Sequence, residues 1–481
     1  MHDDATAGSP LRRDLAHRHI QLIAIGGAIG TGLFLGAGKT ISLAGPSVIL
    51  VYAIIGFFLF FVLRAMGEVL LSDLRYKSFS DVAADLLGPW AGFFTGWTYW
   101  FCWVVTGIAD VVAISGYVAY WWADVPLWIP ALACILVLFA LNLPTVRAFG
   151  EAEFWFALVK IVAILALVVV GLAMVLGGFR APDGTTAAFA NLWNDGGFFP
   201  TGVTGFVAGF QIAVFAFVGV ELVGTTAAEA RDPERTLPRA INTIPVRILL
   251  FYVGALVVIC AVTPWSRIAA DESPFVAMFG LAGLAAAAGV VNFVVLTSAL
   301  SSANSGIYST SRMVYGLAGD GAAPPRFARL SARRVPVNAL AFSCAFLLVG
   351  VALLYSGQSV VGAFTVVTTI SSVCFVFVWT MILVSYLEHR RRRPQRHAAS
   401  RFPMPGGVPM VVAVLAFFVF VLWALTQQDD TLVALLVTPI WFAVLAVTYL
   451  VLRRSPAHAR ARAAHREKVA AELAERDRIA A

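Results

Sequence analysis

Charge is what this chain has least of. Asp, Glu, Lys and Arg make up 13% of its 481 residues, and 60% are hydrophobic. A soluble domain carries about 25% charged residues, so a soluble globular protein is excluded. Several runs of roughly 18 residues or more are free or nearly free of charge, each long enough to cross hydrocarbon. The short alternating segments of a membrane β-barrel are missing. The class is an all-α polytopic membrane protein.

Other absences narrow the chemistry. The five cysteines (Cys102, Cys134, Cys260, Cys344, Cys374) are scattered through apolar runs with no disulfide or metal spacing. All seven histidines (His2, His17, His19, His389, His397, His458, His465) fall outside the apolar runs. A histidine relay or a His-ligated metal in the membrane is therefore excluded, and no cofactor is expected. No Walker-type phosphate loop is present, which argues against ATP-driven pumping. No His, Cys or carboxylate constellation gathers at one depth, which argues against a membrane-embedded enzyme. The polar start, with Arg12, Arg13 and Arg18 and no cleavage site, does not read as a signal peptide.

What is present is a regular alternation. Twelve spans are expected, at about 20–43, 47–71, 89–121, 126–144, 154–176, 203–227, 245–265, 275–305, 337–356, 360–386, 408–427 and 431–452. One set of connections carries Arg75, Lys77, Arg147, Arg231, Arg235, Arg239, Arg312, Arg326 and residues 390–393. The other set is nearly free of positive charge and carries Asp124, Asp183, Asp195, Asp271, Glu272, Asp429 and Asp430. This is the positive-inside pattern, with both termini cytoplasmic. It accounts for the net charge of +7 without a nucleic-acid partner.

Two spans are interrupted. The first contains Gly26-Gly27-Ala28-Ile29-Gly30-Thr31-Gly32, four glycines in seven residues, and each costs a helix interior about 1 kcal/mol relative to Ala. The sixth contains Phe215-Ala216-Phe217-Val218-Gly219-Val220-Glu221, with a carboxylate in mid-membrane. They lie five spans apart, so they enter the bilayer from opposite sides, which points to an inverted-repeat transporter. Such breaks suit a zwitterionic amino acid: N–H groups at Gly30, Thr31 and Gly32 for a carboxylate, carbonyls over 215–218 for an ammonium. Tight glycine packing is the alternative explanation. The expected organisation is a segment 1–19, a transporter body 20–452 and a tail 453–481. The body has halves of about 20–176 and 203–386 and two further helices over about 408–452. The tail is expected to be a solvated charged extension.

Lys160 reads as the one lysine inside a span, a snorkelling residue or a proton-linked switch. Ser301 and Ser302 are expected as its oxygen partners. Glu221 and Asp110 are the intramembrane acids, each a proton carrier or a helix bridge. Glu68 follows Arg64 by four residues and is expected to form a structural ion pair with it.

The chain resembles the amino acid–polyamine–organocation superfamily, in its bacterial amino acid transporter branch. The resemblance rests on three stretches: residues 19–34, Glu153-Phe154-Trp155-Phe156 before Lys160, and residues 229–241. It implies a LeuT-type fold with spans 1–5 and 6–10 as inverted repeats and two extra helices. It implies proton symport of small neutral amino acids (D-alanine, D-serine, glycine) and of D-cycloserine across a bacterial cytoplasmic membrane. Gly30, Thr31 and Gly32 match the carboxylate-binding break of the family, and Ile29 beside them is a further substrate-binding candidate. Phe215, Phe217, Val218 and Gly219 match its amine-binding and gating segment, and Lys160 its proton-responsive lysine. Glu221 and Asp110 join Lys160 as proton-coupling candidates, with Ser301, Ser302 and Asn304 in support. Asp110 stands where the wider branch often has Glu. The implied partners are the substrate, protons and lipid, and no oligomer is required. Permeation of other neutral or aromatic amino acids or GABA, and amino-acid sensing without flux, are the alternatives.

Overall fold

The computed structural model describes residues 29–76, 78–144, 146–227, 232–357 and 359–480. Among these, every regular element is helical, apart from one isolated bridge between Arg180 and Thr186. A chain this apolar has no water with which to satisfy its backbone, and helices satisfy theirs internally. The N-terminal segment, the first-span residues 20–28 and residues 228–231 lie outside the described residues.

The α-helices in chain order are α1 (Thr31–Phe34), α2 (Gly36–Ala44), α3 (Val48–Ser72), α4 (Phe79–Leu87), α5 (Pro89–Ala119), α6 (Trp128–Asn142) and α7 (Val146–Leu176). There follow α8 (Gly202–Ala213), α9 (Leu222–Ala227), α10 (Pro233–Asn242), α11 (Ile244–Arg247), α12 (Ala255–Val262), α13 (Pro274–Leu281) and α14 (Ala285–Gly319). The last are α15 (Val337–Tyr355), α16 (Val360–Arg392), α17 (Pro394–Ala398), α18 (Gly407–Ala424), α19 (Asp429–Leu452) and α20 (Pro456–Ala480). Ten stretches of the described chain are long and apolar enough to cross a membrane, and α6 is a shorter apolar helix. The eighth expected span, 275–305, is displaced: α13 stops before Gly283, whose φ of +76° breaks the helix, and α14 runs on to Gly319.

The hydrophobic stripes divide between two environments. α5 is almost wholly buried, packed between α14 and α16. Its Thr106 hydroxyl meets that of Ser371 at 2.7 Å, and the Trp100 indole donates to Ser343 at 3.0 Å. By contrast α19 presents Val433, Leu436, Ile440, Val444 and Val447 outward. Apolar residues on an outer face of so apolar a helix belong against lipid.

Three expectations about charged residues change. Lys39 is a second lysine within an apolar span; it pairs with Asp430 and reaches Thr365 Oγ1 at 3.3 Å. Arg64 does not pair with Glu68. Its guanidinium donates to Asn242 at 2.8 Å and to the Pro403 carbonyl, 3.7 Å above the Phe402 ring. Glu68 is buried and instead accepts from the Met404 N–H at 2.7 Å and contacts His397. The four-residue spacing allows a local pair, but tertiary donors on the segment after α16 outcompete a solvated one.

The tail is also not a loose extension. α20 folds back so that Glu472 accepts from Arg392 at 2.5 Å and from Arg393 at 2.8 Å. Arg393 continues to Asp85 at 2.7 Å and Tyr76 at 2.8 Å, Lys468 also contacts Asp85, and Arg392 caps the Leu86 carbonyl at 2.7 Å. Arg392 is fully buried by these contacts. Burial would raise the Asp85 carboxyl, but Lys468, Tyr76 and Arg393 hold it well below the usual carboxylate range. Glu472 is likewise lowered: burial opposes ionisation, and the two arginines outweigh it.

Candidate functional site

Among the described residues the first span begins with a helix start at Thr31, and that start meets an opening in the sixth span. Gly30 is extended (φ −136°, ψ −161°) and α1 starts at Thr31. The first intrahelical bonds go from Leu33 and Phe34 to the Gly30 carbonyl, at 3.2 and 3.3 Å. The N–H groups of Thr31 and Gly32 precede that ladder, as they do at any helix start. In the sixth span α8 tightens into a 3-10 turn over Val214–Phe217, opens through residues 218–221, and restarts as α9. Gly219 takes φ +101°, a backbone that L side chains rarely adopt.

Gly32 is where the two breaks touch. A Cβ there would lie 2.5 Å from Ala216 Cα and 2.9 Å from a Phe215 ring carbon. Gly30 faces the eighth-span helix, with Ser302 Oγ 3.1 Å from the place of its missing Cβ. Ile29, Gly30, Thr31 and Gly32 thus fall at one junction of α1, the sixth-span turn and α14.

Three carbonyls of the sixth-span turn already accept one donor each. Phe215 receives Val218 N–H at 3.1 Å, Ala216 receives Tyr252 Oη at 3.0 Å, and Phe217 receives Val220 N–H at 3.3 Å. A carbonyl has two lone pairs, so each keeps room for an ammonium donor. The two phenylalanines differ. Phe215 lies beside Gly32 and packs edge-on to Phe364 at 5.8 Å. Phe217 stacks on Tyr252 at 4.9 Å and touches Tyr52, inside the packing of α3 against the seventh span. Val218 is buried at the start of the opened turn.

Polar side chains then occupy the groups a broken helix leaves. The Ile29 carbonyl accepts from Lys160 Nζ at 3.1 Å and from Ser298 Oγ at 3.0 Å. Thr31 Oγ1 donates to Asp110 Oδ1 at 2.6 Å; Oδ2 of the same carboxylate has no direct partner, and Ser302 faces it. Ser301 and Asn304 do not serve Lys160: they donate to Glu153, at 2.8 and 2.6 Å. Glu153 is buried, and Asn304 in turn accepts from Asn142 at 2.8 Å.

Glu221 is set apart from this group. Its Oε2 accepts the Gly219 N–H at 3.1 Å, while Oε1 has no direct partner. The indole N–H groups of Trp103 and Trp379 face it, and both also lack a direct partner. The arrangement thus has two buried acidic centres, one behind each break.

Sequence reasoning did not single out Ser298 or the contacts of Glu153. The signal was available: Ser298, Ser301, Ser302 and Ser305 follow the 3-4-7 spacing of one helix face, and Glu153 and Lys160 are seven residues apart.

Comparison with known proteins agrees with this architecture. The family model described as "Amino acid permease" matches residues 19–459. The D-serine/D-alanine/glycine transporter of Escherichia coli K12 is 64% identical over 455 residues, 95% of this chain and 97% of the relative. The amino-acid permease AapA of Bacillus subtilis is 51% identical, over 92% of this chain and 96% of its own length. A third relative, the probable threonine/serine transporter YbxG of Bacillus subtilis, is 41% identical over 92% of this chain and 96% of its own. With a family match along nearly its whole length and relatives this similar, the chain belongs to the amino acid permease family.

Proposed function

We propose that this protein imports small neutral amino acids, D-alanine, D-serine and glycine, together with protons, by alternating access. The observation that carries the reading is the contact of the helix start at Gly32 with the opened sixth-span turn at Ala216. Around that contact, a substrate carboxylate would meet the N–H groups of Thr31 and Gly32 and the Thr31 hydroxyl. Its ammonium would meet the second lone pairs of the sixth-span carbonyls. The 64% identity to a transporter of D-serine, D-alanine and glycine supports the same substrates here.

The proposed frame is the LeuT-type one, with twelve spans, inverted repeats of about 20–176 and 203–386, and extra helices at about 408–452. The location is a bacterial cytoplasmic membrane, with both termini inside. Lys160, Asp110 and Glu221 are the proposed proton-coupling groups, and D-cycloserine is a proposed further substrate. Protein reconstituted in vesicles tests the substrate class. Uptake of labelled D-alanine should be suppressed by excess D-serine, glycine and D-cycloserine and little affected by phenylalanine or GABA. Suppression by L-threonine and L-serine but not by the D-isomers would move the substrate class toward that of the probable threonine/serine transporter among its relatives.

A further inference from the structure

Glu153 is a buried carboxylate that the site described above leaves without a task. It sits on α7 seven residues before Lys160, on the same face and about 10 Å along the axis. Side chains of a helix lean toward its N-terminus, so the long Lys160 chain leans toward the Glu153 turn, and Lys160 feels the charge of both Glu153 and Asp110. On the proposed orientation, with the start of α7 cytoplasmic, the groups are ordered by depth. Thr31 and Asp110 lie at the break, then Lys160, then Glu153. One turn further, Phe149 stacks on Tyr308 at 3.7 Å, and Arg312 covers that tyrosine ring at 3.2 Å. Among the described residues of α7, Glu153 is thus the last buried acid before this aromatic pair.

We propose that Glu153 is the proton relay between Lys160 and the cytoplasm, an assignment that rests on the proton-coupled reading above. The Lys160 ammonium gives a proton to the Glu153 carboxylate through water admitted between them: one N–H bond breaks, one O–H bond forms, and two opposite charges vanish together from the membrane interior. Lys160 then holds the Ile29 carbonyl as a neutral amine, a weaker grip than a charge-assisted bond. When Phe149 and Tyr308 part, Glu153 releases the proton to cytoplasmic water and becomes a carboxylate again. The groups that face Glu153 fit this role. From α14 come Ser301, Asn304 and Ser305, from α6 Asn142 through Asn304, and none of these described groups is charged. Lys160 is the neighbouring cation on its own helix, and Arg312, the next charge on α14, lies behind Tyr308. Bracing between helices alone does not call for a charge: a glutamine could accept from Asn304 through its carbonyl oxygen and donate to the Ser301 hydroxyl through its amide, and a carboxylate at such depth is costly unless its charge is used.

The test compares two assays on full-length protein in vesicles with labelled D-alanine. Counterflow exchange needs no net proton movement; accumulation under an imposed pH gradient does. With one pH unit across the membrane, one-to-one coupling concentrates substrate about tenfold. Glu153→Gln is expected to keep counterflow within about twofold of the parent and to lose accumulation and substrate-driven proton entry. Glu153→Asp, which keeps the proton-binding group, is expected to recover part of both. Normal accumulation and proton entry by Glu153→Gln overturns the relay and leaves proton coupling standing. Loss of counterflow in both variants assigns Glu153 to the fold and also overturns it. A parent protein whose uptake ignores the pH gradient overturns the coupled reading and the relay together.

Discussion

Gly32→Ala probes the junction at its tightest point. The added Cβ would sit 2.5 Å from Ala216 Cα and 2.8 Å from Ala216 N. Non-bonded carbons rest at about 3.5–4.0 Å, so the first and sixth segments must separate by about 1 Å. Neither obstacle is a flexible side chain, so rotation cannot relieve it. Overpacking of this kind costs about 1–3 kcal/mol, which is about 5- to 150-fold in the population of the joined arrangement. Gly30→Ala is the informative contrast. Among the described residues its Cβ would meet only the Ser302 hydroxyl at 3.1 Å and the Ser302 Cβ at 3.3 Å. A change of rotamer there costs about 1 kcal/mol. Gly316→Ala, with nothing within 4 Å, is the control. The assay is the concentration dependence of labelled D-alanine uptake, with thermal stability of the purified variants beside it. The expected order of loss is Gly32→Ala, then Gly30→Ala, then none for Gly316→Ala. A Gly32→Ala protein with parental uptake and stability would refute the contact on which the site is built.

Three further outcomes are expected. Gly219→Ala forces a side chain onto φ +101° and should lower stability by about 1–2 kcal/mol, read as a fall in unfolding temperature. Lys160→Ala should remove or weaken pH-driven accumulation; full concentrative uptake with unchanged pH dependence would count against the switch. Asp85 and Glu472 are both lowered in the folded protein, so the stability they give the docked tail is present above the usual carboxylate range. It is lost as pH falls through their folded values, and the tail should begin to release below about pH 4. A spin label at exposed Ala474 would report this as rising mobility on acidification, with no change between neutral and mildly alkaline pH.

The parts of the site legible in the sequence are those written in the backbone. Glycines in an apolar run and a carboxylate beside glycine announce a helix break locally; the sixth-span opening lies where that reasoning puts it, and in the first span the described residues show a helix start at Thr31. Partners across helices are less legible because they depend on how one helix is rotated against another. Ser301 and Ser302 were expected at Lys160, yet α14 turns Ser301 to Glu153 and offers Ser298 to the Ile29 carbonyl instead. The Arg64–Glu68 spacing suggested a local pair, and tertiary donors from Met404 and His397 took the carboxylate. The tail looked solvated because its composition is polar; its docking depends on the matching charges of Asp85, Arg392 and Arg393, far away in sequence.

Proton entry on substrate addition tests the central claim most directly. Vesicles containing the purified protein and a trapped pH indicator, with no gradient imposed, receive D-alanine outside. Acidification of the lumen is expected to track D-alanine entry, to be shared by D-serine and glycine, and to disappear in Lys160→Ala. Entry of labelled D-alanine with no change in lumenal pH would contradict it.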